Sequence, residues 1–227
     1  MNLATIESSS HHLSVALCCG GQIRQRAADV ANGGSTLLLP WLNELLAEAG
    51  IALSALDALA FGAGPGGFTG LRLACGLVQG LALGLDLPVL GVCGLEAVAL
   101  QAGPGRVVAA IDARMGEVYY AYYAVAGEGI EILGPPACAA PSNLPPLPPG
   151  QGWTGCGDGL LAYPDLWRDE LGIRRGELFP TADAVLRLAL PRLHRGEGVD
   201  AALAAPLYVR DKVALTTAER LARGGVR

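Results

Sequence analysis

The sequence predicts an α/β protein made of two related halves, and three observations lead to this prediction. Apolar residues make up 52% of the 227 residues and charged residues only 16%, which allows a substantial core. Short apolar runs typical of strands alternate with longer runs at helical spacing. The segments TIESSSHHLSVAL and AIDARMGEVYYAY share one order: an apolar strand, an acid, a turn and a second strand. Glu7 and Asp112 occupy the same place in them, 105 residues apart, which indicates an internal duplication.

The first predicted half is residues 1–104. Its strands are short runs of apolar residues, predicted at 2–7, 12–19, 22–28, 56–62 and 89–92. Its helices show helical spacing of leucines, and they are predicted at 36–49, 71–85 and 95–101. The helix that starts near Ser35 ends at Gly50, because glycine favours the left-handed conformation that follows a helix.

The second predicted half is residues 105–227. Strands are expected at 106–112, 117–125 and 130–133, and a glycine turn, TGCGDG at 154–159, precedes a further helix. Residues 134–150 contain seven prolines. This Pro-rich connector is either a ligand for a polyproline-binding partner or a stiff surface connection, and the sequence favours the connection.

The stretch FGAGPGGFTGLRLACG, residues 61–76, is a glycine-rich loop that leads into a helix. It matches G-x-G-x-x-G, but no acid ends the next strand, so a dinucleotide site is not indicated. No lysine follows Gly67, which also argues against a P-loop. Two interpretations stay open. The backbone N–H groups, with Thr69, could bind an anion, or the glycines could allow a tight strand-to-helix crossover.

Chemistry-bearing residues are sparse. Glu7 and Asp112 could share a cleft and hold Mg²⁺-bound phosphates, or they could be two solvated acids with no joint role. The three histidines and six cysteines show no zinc spacing, and no G-x-S-x-G motif is present. We therefore predict no catalytic residue, no metal ligand and no tightly bound cofactor.

The two predicted helices at 36–49 and 71–85 carry apolar residues on more than one face. The glycines of the second helix, Gly76, Gly80 and Gly84, are four residues apart, and each costs a helix roughly 1 kcal/mol relative to alanine. This pattern fits either internal helix packing or a subunit interface. The residues predicted for the interface are Leu38, Leu42, Leu45, Leu46, Leu73, Gly76, Leu77, Gly80 and Gly84.

Composition also gives expectations about location and partners. The N-terminus does not resemble a signal peptide, and no uninterrupted apolar span reaches the ~18–20 residues that cross a bilayer. We expect a cytoplasmic protein without a membrane contact. The net charge of −5 indicates that any contact with RNA is made through a partner.

Three motifs closely resemble the TsaB (YeaZ) family. They are FGAGPGGFTGLRLACGLVQGLALGLDLPVLGVCGLEA, IDARMGEVYYAYY at 111–123 and PLYVRDKVA at 206–214. The resemblance implies two repeats of the actin/Hsp70/sugar-kinase, ribonuclease H-like type. It also implies a non-catalytic subunit of the complex that forms N6-threonylcarbamoyladenosine at position 37 of tRNAs reading codons that begin with A. The alternative is a small-molecule kinase or metallopeptidase-like enzyme of the same superfamily.

The resemblance further implies partners and a site. The partners are the catalytic paralogue TsaD, which docks on the two helices, the ATPase subunit TsaE, and tRNA indirectly, with a homodimer when the chain is alone. TsaD holds its metal with a His-x-x-x-His helix, and the matching STLLLPWLNELL has no histidine. Weak ATP or ADP binding is expected only within the complex. The candidate nucleotide or phosphate residues are Glu7, Ser8, Gly64, Gly66, Gly67, Thr69 and Asp112. Glu7-Ser8-Ser9 departs from the usual Asp-Thr-Ser.

Overall fold

The structure is a computed structural model that describes residues 1–30, 34–127 and 129–210. Within these ranges the chain forms two five-stranded sheets, one in each half. The motif at 206–214 is described as far as Arg210, and its remaining residues lie outside the described part.

The first sheet has the strand order β3-β2-β1-β4-β5. Its strands are β1 (Leu3–Glu7), β2 (His12–Cys19), β3 (Gln22–Asp29), β4 (Ala58–Gly64) and β5 (Val89–Cys93). Strand β1 lies at the centre, antiparallel to β2 and parallel to β4. Every residue of β1 and β4 is buried, so helices must cover both faces of this sheet.

The second sheet repeats this topology in the order β10-β9-β6-β7-β8. Its strands are β6 (Gly105–Arg114), β7 (Glu117–Ala126), β8 (Gly129–Ala139), β9 (Trp153–Cys156) and β10 (Leu171–Arg175). Strand β6 is antiparallel to β7 and parallel to β9, as β1 is to β2 and β4. The predicted duplication is therefore confirmed by the topology of the two sheets.

Five α-helices are described, and they complete the layers between and outside the sheets. They are α1 (Ser35–Ala49), α2 (Phe68–Leu85), α3 (Gly94–Ala102), α4 (Gly159–Ala162) and α5 (Ala182–His194). Helices α1 and α2 cover the outer face of the first sheet, and α5 covers its inner face. Helix α3 covers the inner face of the second sheet and contacts α5, whereas α4 lies on the outer face.

The two sheets divide at residue 105, where the boundary was predicted, but helix α5 packs across this division. It comes from the second half of the sequence, yet it packs on the first sheet with Leu3, Ala16 and Val92. Two hydrogen bonds fix its first residue: the Thr5 hydroxyl donates to the Ala182 carbonyl, and the Ala182 N–H donates to the Ser14 hydroxyl, both at 2.8 Å. The inner apolar face of the first sheet is thus covered by a helix from the second half of the sequence.

The predicted connector at 134–150 is also corrected at its start. Residues 134–139 belong to β8, and the two prolines in this strand are tolerated because β8 is an edge strand. The rest of the segment is fastened to the second half by two tryptophans. Trp167 donates its indole N–H to the Pro145 carbonyl at 3.1 Å, and Trp153 donates to the Pro148 carbonyl at 3.2 Å. These contacts favour the connector interpretation over a free polyproline ligand.

Candidate functional site

A cavity of about 310 Å³ lies between the two halves, where β1 and β6 end. Parallel strands with helices on both faces place such crevices at their carboxyl ends, as observed here. Of the seven residues predicted to bind a nucleotide or phosphate, five line this cavity: Ser8, Gly66, Gly67, Thr69 and Asp112. The other two, Glu7 and Gly64, do not line it. The topology thus brings most of the predicted site together, from both halves.

Glu7 is completely buried beneath this cavity. One carboxyl oxygen, Oε1, accepts a hydrogen bond from the Ser9 N–H at 2.5 Å. The other oxygen, Oε2, has no hydrogen-bond partner among the described residues and lies over Gly62 of the neighbouring strand. Burial raises the pKa of this carboxyl above its ordinary value, because an ionised form would be poorly solvated. Glu7 was one candidate for a phosphate contact, but its carboxyl faces strand β4 and does not line the cleft.

The glycine loop is packed closely against the turn that follows β1. A methyl group on Gly70 would lie 1.7 Å from the Ser8 carbonyl oxygen, and one on Gly66 would lie 2.7 Å from Ser9. The Gly67 N–H donates to the Ser9 carbonyl at 2.6 Å, so this donor is used within the chain. The Ser8 hydroxyl donates to the Gly70 carbonyl at 2.8 Å. Of the two interpretations of this loop, these contacts support the tight crossover.

Gly64 has a separate structural role. Its backbone has a φ of +106°, a conformation that side chains rarely adopt, and a methyl group there would lie 2.9 Å from Leu71. It therefore sets the direction of the chain between β4 and α2 and does not contact a ligand from the cleft.

The second half contributes two acids to the cleft. The Asp112 carboxylate accepts from the Arg114 backbone N–H at 2.9 Å and forms an ion pair with the Arg114 guanidinium at 3.0 Å. Asp158 accepts a hydrogen bond from the Asp112 N–H at 3.0 Å. Its pKa is raised, first by burial and also by the neighbouring Asp112. The carboxylate of Asp112 thus already has a partner in its own strand, the exposed side chain of Arg114.

Sequence reasoning missed Asp158, Arg114 and His11, which also line the cavity. The available signal for Asp158 was the turn TGCGDG, the counterpart of the glycine loop in the second half. There Gly157 lies against β6, and a methyl group on it would be 2.2 Å from the Ala110 carbonyl oxygen. This contact repeats the packing of Gly70 on Ser8 in the first half.

The cleft offers limited chemistry. Thr69, His11 and Arg114 are among the side chains that could donate to an anion, and Asp112 with Asp158 could meet a cation only in competition with Arg114. Across residues 1–30, 34–127 and 129–210, no group of three or more His, Cys, Asp or Glu side chains is placed to hold a metal ion.

The four leucines predicted for the interface in α1 lie in the core. Leu38, Leu42, Leu45 and Leu46 are at most 4% exposed and pack under the first sheet, so this part of the interface prediction is wrong. Leu39 of the same helix is 42% exposed, so the four leucines named for the interface point inward while this one faces solvent.

The glycines of α2 lie on the surface instead. Gly76, Gly80 and Gly84 are exposed, and a methyl group on any of them would meet no atom of residues 1–30, 34–127 and 129–210 within 4 Å outside the helix's own backbone. Leu73 and Leu77 beside them are partly buried against the core of the first half. The glycine row therefore does not serve packing against the part of the chain that the structure describes.

Helix α2 also has the length and mean hydropathy of a membrane-spanning helix, and among the described residues it is the one helix that does. Its buried side packs against β4 through residues such as Leu71, Ala74 and Val78. This side is part of the core of the first half, as for many apolar helices of globular proteins.

Comparison with known proteins identifies the class and then the family. A family described as "TsaD: tRNA N6-adenosine threonylcarbamoyltransferase" matches residues 29–154. A Pseudomonas aeruginosa structure titled "YeaZ" is 38% identical, with a TM-score of 0.84 over 91% of this chain and 99% of that one. A second structure, described as similar to peptidase YEAZ from the same organism, is also 38% identical, with a TM-score of 0.85 over 92% and 99%. With the repeated topology, these matches define a protein of the actin-like class.

Curated relatives give the family. The Escherichia coli "tRNA threonylcarbamoyladenosine biosynthesis protein TsaB" is 37% identical over 94% of this chain and 96% of its own length. The Haemophilus influenzae protein of the same name is 44% identical over 53% and 52%. The chain therefore belongs to the TsaB (YeaZ) family of tRNA threonylcarbamoyladenosine biosynthesis proteins. The resemblance seen in the sequence is confirmed.

Proposed function

We propose that this protein is a non-catalytic subunit of the complex that forms N6-threonylcarbamoyladenosine at position 37 of tRNAs reading codons that begin with A. Its task is to dock and support the catalytic paralogue, TsaD, in the cytoplasm. Membership of the TsaB family supports the pathway. One observation carries the docking role: the row Gly76, Gly80 and Gly84 faces open space.

The glycine row needs an energetic explanation. Each glycine costs a helix roughly 1 kcal/mol relative to alanine, and nothing within the described chain makes use of the missing side chains. A partner helix that approaches the backbone closely would use them, because small residues let two helix axes come together. The apolar character of α2 supports the same conclusion, since Leu83 is 63% exposed and adds an apolar side chain to this surface.

The cleft supports an accessory role over the enzymatic alternative. Glu7 is buried away from the cavity, and Asp112 is paired with Arg114. The remaining acid of the cleft, Asp158, accepts the backbone N–H of Asp112, and burial raises the pKa of its carboxyl, which makes it a poor match for the ionised catalytic carboxylate of a kinase. Weak ATP or ADP binding within the complex would place phosphates near Thr69 and Arg114, two of the donors that line the cleft. The α2 surface would also form the homodimer of the isolated chain, and TsaE and tRNA would join through TsaD.

The test is binding of the Gly80→Leu variant to the catalytic paralogue. The new side chain has open space in this chain, so the variant should fold, but it should hold the two backbones apart. Overpacking of this kind costs about 1–3 kcal/mol, and we expect docking to weaken roughly tenfold or more. Ala162→Leu is the matched control, because it adds a leucine to an exposed helical residue of the other half. Unchanged affinity for Gly80→Leu would rule out this docking surface.

A further inference from the structure

Three exposed side chains form a stacked cluster at the N-terminal end of α2. The guanidinium carbon of Arg72 lies 3.7 Å from the centre of the Phe68 ring. The Arg72 Nε–H donates to the Tyr208 hydroxyl at 3.1 Å, and the two aromatic rings are 5.9 Å apart. Phe68 is 43% exposed and Tyr208 48% exposed, so large aromatic surfaces face solvent here.

Arg72 has no carboxylate partner among the described residues, although the protein carries a net charge of −5. Several other arginines are paired with a carboxylate, namely Arg26 with Glu44, Arg192 with Glu96 and Arg195 with Glu197, whereas Arg24 bonds to the Gln22 side chain. The Nε of Arg72 is used by Tyr208, which leaves the two Nη groups with four N–H donors. Such a fork matches the two oxygens of a carboxylate.

Tyr208 is held in place from both sides. The Leu207 N–H donates to the Ala63 carbonyl at 2.7 Å, which fixes the chain to β4. On the other side, Arg210 donates to the Ala113 carbonyl at 2.9 Å and pairs with Glu117 at 2.7 Å, which fixes it to β6 and β7. A binding group that is already ordered loses less entropy when a partner arrives.

The cluster continues the glycine row without a break. Phe68 and Arg72 precede Gly76 by eight and four residues, and Gly80 and Gly84 follow at the same spacing. Residues four apart form one continuous ridge on a helix surface. A partner that contacts the backbone at Gly76 therefore reaches Arg72 one turn away.

We propose that Phe68, Arg72 and Tyr208 are the binding hot spot of the docking surface, and that Arg72 receives a carboxylate side chain of the docked protein. This inference rests on the proposed function, because the partner is the catalytic paralogue placed on the glycine row. Arginine and tyrosine are the residue types that most often dominate binding energy at interfaces. The stacking of Arg72 on the Phe68 ring and its hydrogen bond to Tyr208 hold the planar guanidinium in one orientation.

The experiment is calorimetric titration of the full chain with the catalytic paralogue, at low and at high salt. Arg72→Ala should raise the Kd about 10- to 100-fold, in the range of hot-spot residues. Arg72→Lys should also raise it about tenfold, since lysine keeps the charge but loses the planar, bidentate contact. The affinity of the wild type should fall as salt increases, and the Arg72→Ala variant should show less of this dependence.

Arg168→Ala is the matched control, because Arg168 is an exposed arginine of the opposite half whose guanidinium is paired with Asp165. It should leave the Kd unchanged. Thermal unfolding of each variant alone should match the wild type, since Arg72 is on the surface. If Arg72→Ala and Arg72→Lys both bind like the wild type while Gly80→Leu does not, the hot spot is wrong and the docking role stands.

Two further outcomes would overturn the proposal. If Gly80→Leu and the Arg72 variants all bind normally, the docking surface itself is wrong. If tRNA alone binds the chain and loses that binding in Arg72→Ala, the cluster recognises an RNA phosphate and not a protein carboxylate. The carboxylate assignment is supported if both Arg72 variants stay folded and both bind the catalytic paralogue more weakly. It also requires that neither variant changes the binding of tRNA alone.

Discussion

At the scale of single residues, Glu7 and Gly62 form a dependent pair at the end of β1. The Glu7 carboxyl occupies the space above Gly62, and a methyl group there would lie only 1.6 Å from Oε2. The sequence could show that a longer acid replaces the usual aspartate at this position. It could not show where the carboxyl lies, because that depends on a side-chain conformation and on the residue that faces it from the neighbouring strand.

The burial of Glu7 predicts a particular dependence of stability on pH. The pKa of its carboxyl is raised on folding, so between 4.5 and the raised value the folded state binds more protons than the unfolded chain. The free energy of unfolding should therefore fall as pH rises through this interval. Glu7→Gln removes this contribution. Urea unfolding from pH 4 to pH 8 should show a smaller decline for the variant, and identical declines would contradict the assignment.

The packing of Glu7 over Gly62 predicts a second effect. Gly62→Ala should destabilise the protein by about 1–3 kcal/mol, because the new methyl group displaces the carboxyl. Gly80→Ala is the matched control and should be neutral or stabilising, since its methyl group meets no atom. Glu7→Asp, with its shorter side chain, should restore part of the loss in the double variant. The free energies of unfolding of the wild type, Gly62→Ala, Gly80→Ala and the Glu7→Asp/Gly62→Ala double variant test this. If the double variant is no more stable than Gly62→Ala, the contact between Glu7 and Gly62 is contradicted.

The cleft shows what a sequence pattern can and cannot supply. The glycine loop and the acid at 112 were found because both lie in motifs at the ends of strands. Asp158 was not found, because its importance arises only when β9 pairs with β6 and brings the second glycine turn beside Asp112.

At the scale of elements, helices α1 and α2 looked alike in sequence but differ in the structure. Both carry apolar residues on more than one face, and such a pattern cannot distinguish a helix buried by its own chain from one that meets a partner. Leu42 is buried in α1, whereas Gly80 is exposed in α2. The spacing of the glycines was the more reliable signal, because glycine in a helix is costly wherever its small size is not used.

The glycine row predicts opposite effects on stability and on docking. Replacing Gly76, Gly80 and Gly84 together by alanine should raise the free energy of unfolding, by up to about 1 kcal/mol per site, because alanine is a better helix former and has room. The same variant should bind the catalytic paralogue more weakly. Denaturant unfolding of the isolated chain measures the first effect. A loss of stability would mean that the row is packed within this chain or within its own dimer.

At the scale of the whole molecule, the two halves share their covering helices. The duplication was visible in the sequence because strand, acid and turn recur in the same order. The sequence did not show that α3 of the first half covers the second sheet and that α5 of the second half covers the first sheet. An amphipathic helix such as α5 can pack on either sheet. Only the apolar inner face of the first sheet, with residues such as Leu3 and Val92, determines where this helix packs.

This sharing predicts that the first half does not fold alone. A fragment of residues 1–104 would lack α5 and expose the inner face of its sheet, including the hydroxyl of Ser14 that bonds to Ala182. We expect the fragment to show no cooperative unfolding, whereas the full chain should unfold in a single transition. Circular dichroism in a urea titration tests both. A cooperative transition of the fragment would show that α5 is dispensable for the first half.

The most direct test of the account is reconstituted threonylcarbamoylation of tRNA with the catalytic paralogue and the ATPase subunit. The central claim is that the α2 surface, and not the cleft, carries the function. Gly80→Leu should reduce modification together with docking, whereas Asp112→Ala should retain most of the modification, because Asp112 is paired with Arg114. If Gly80→Leu supports full modification and Asp112→Ala abolishes it without weakening docking, the cleft performs the essential step and the accessory role is contradicted.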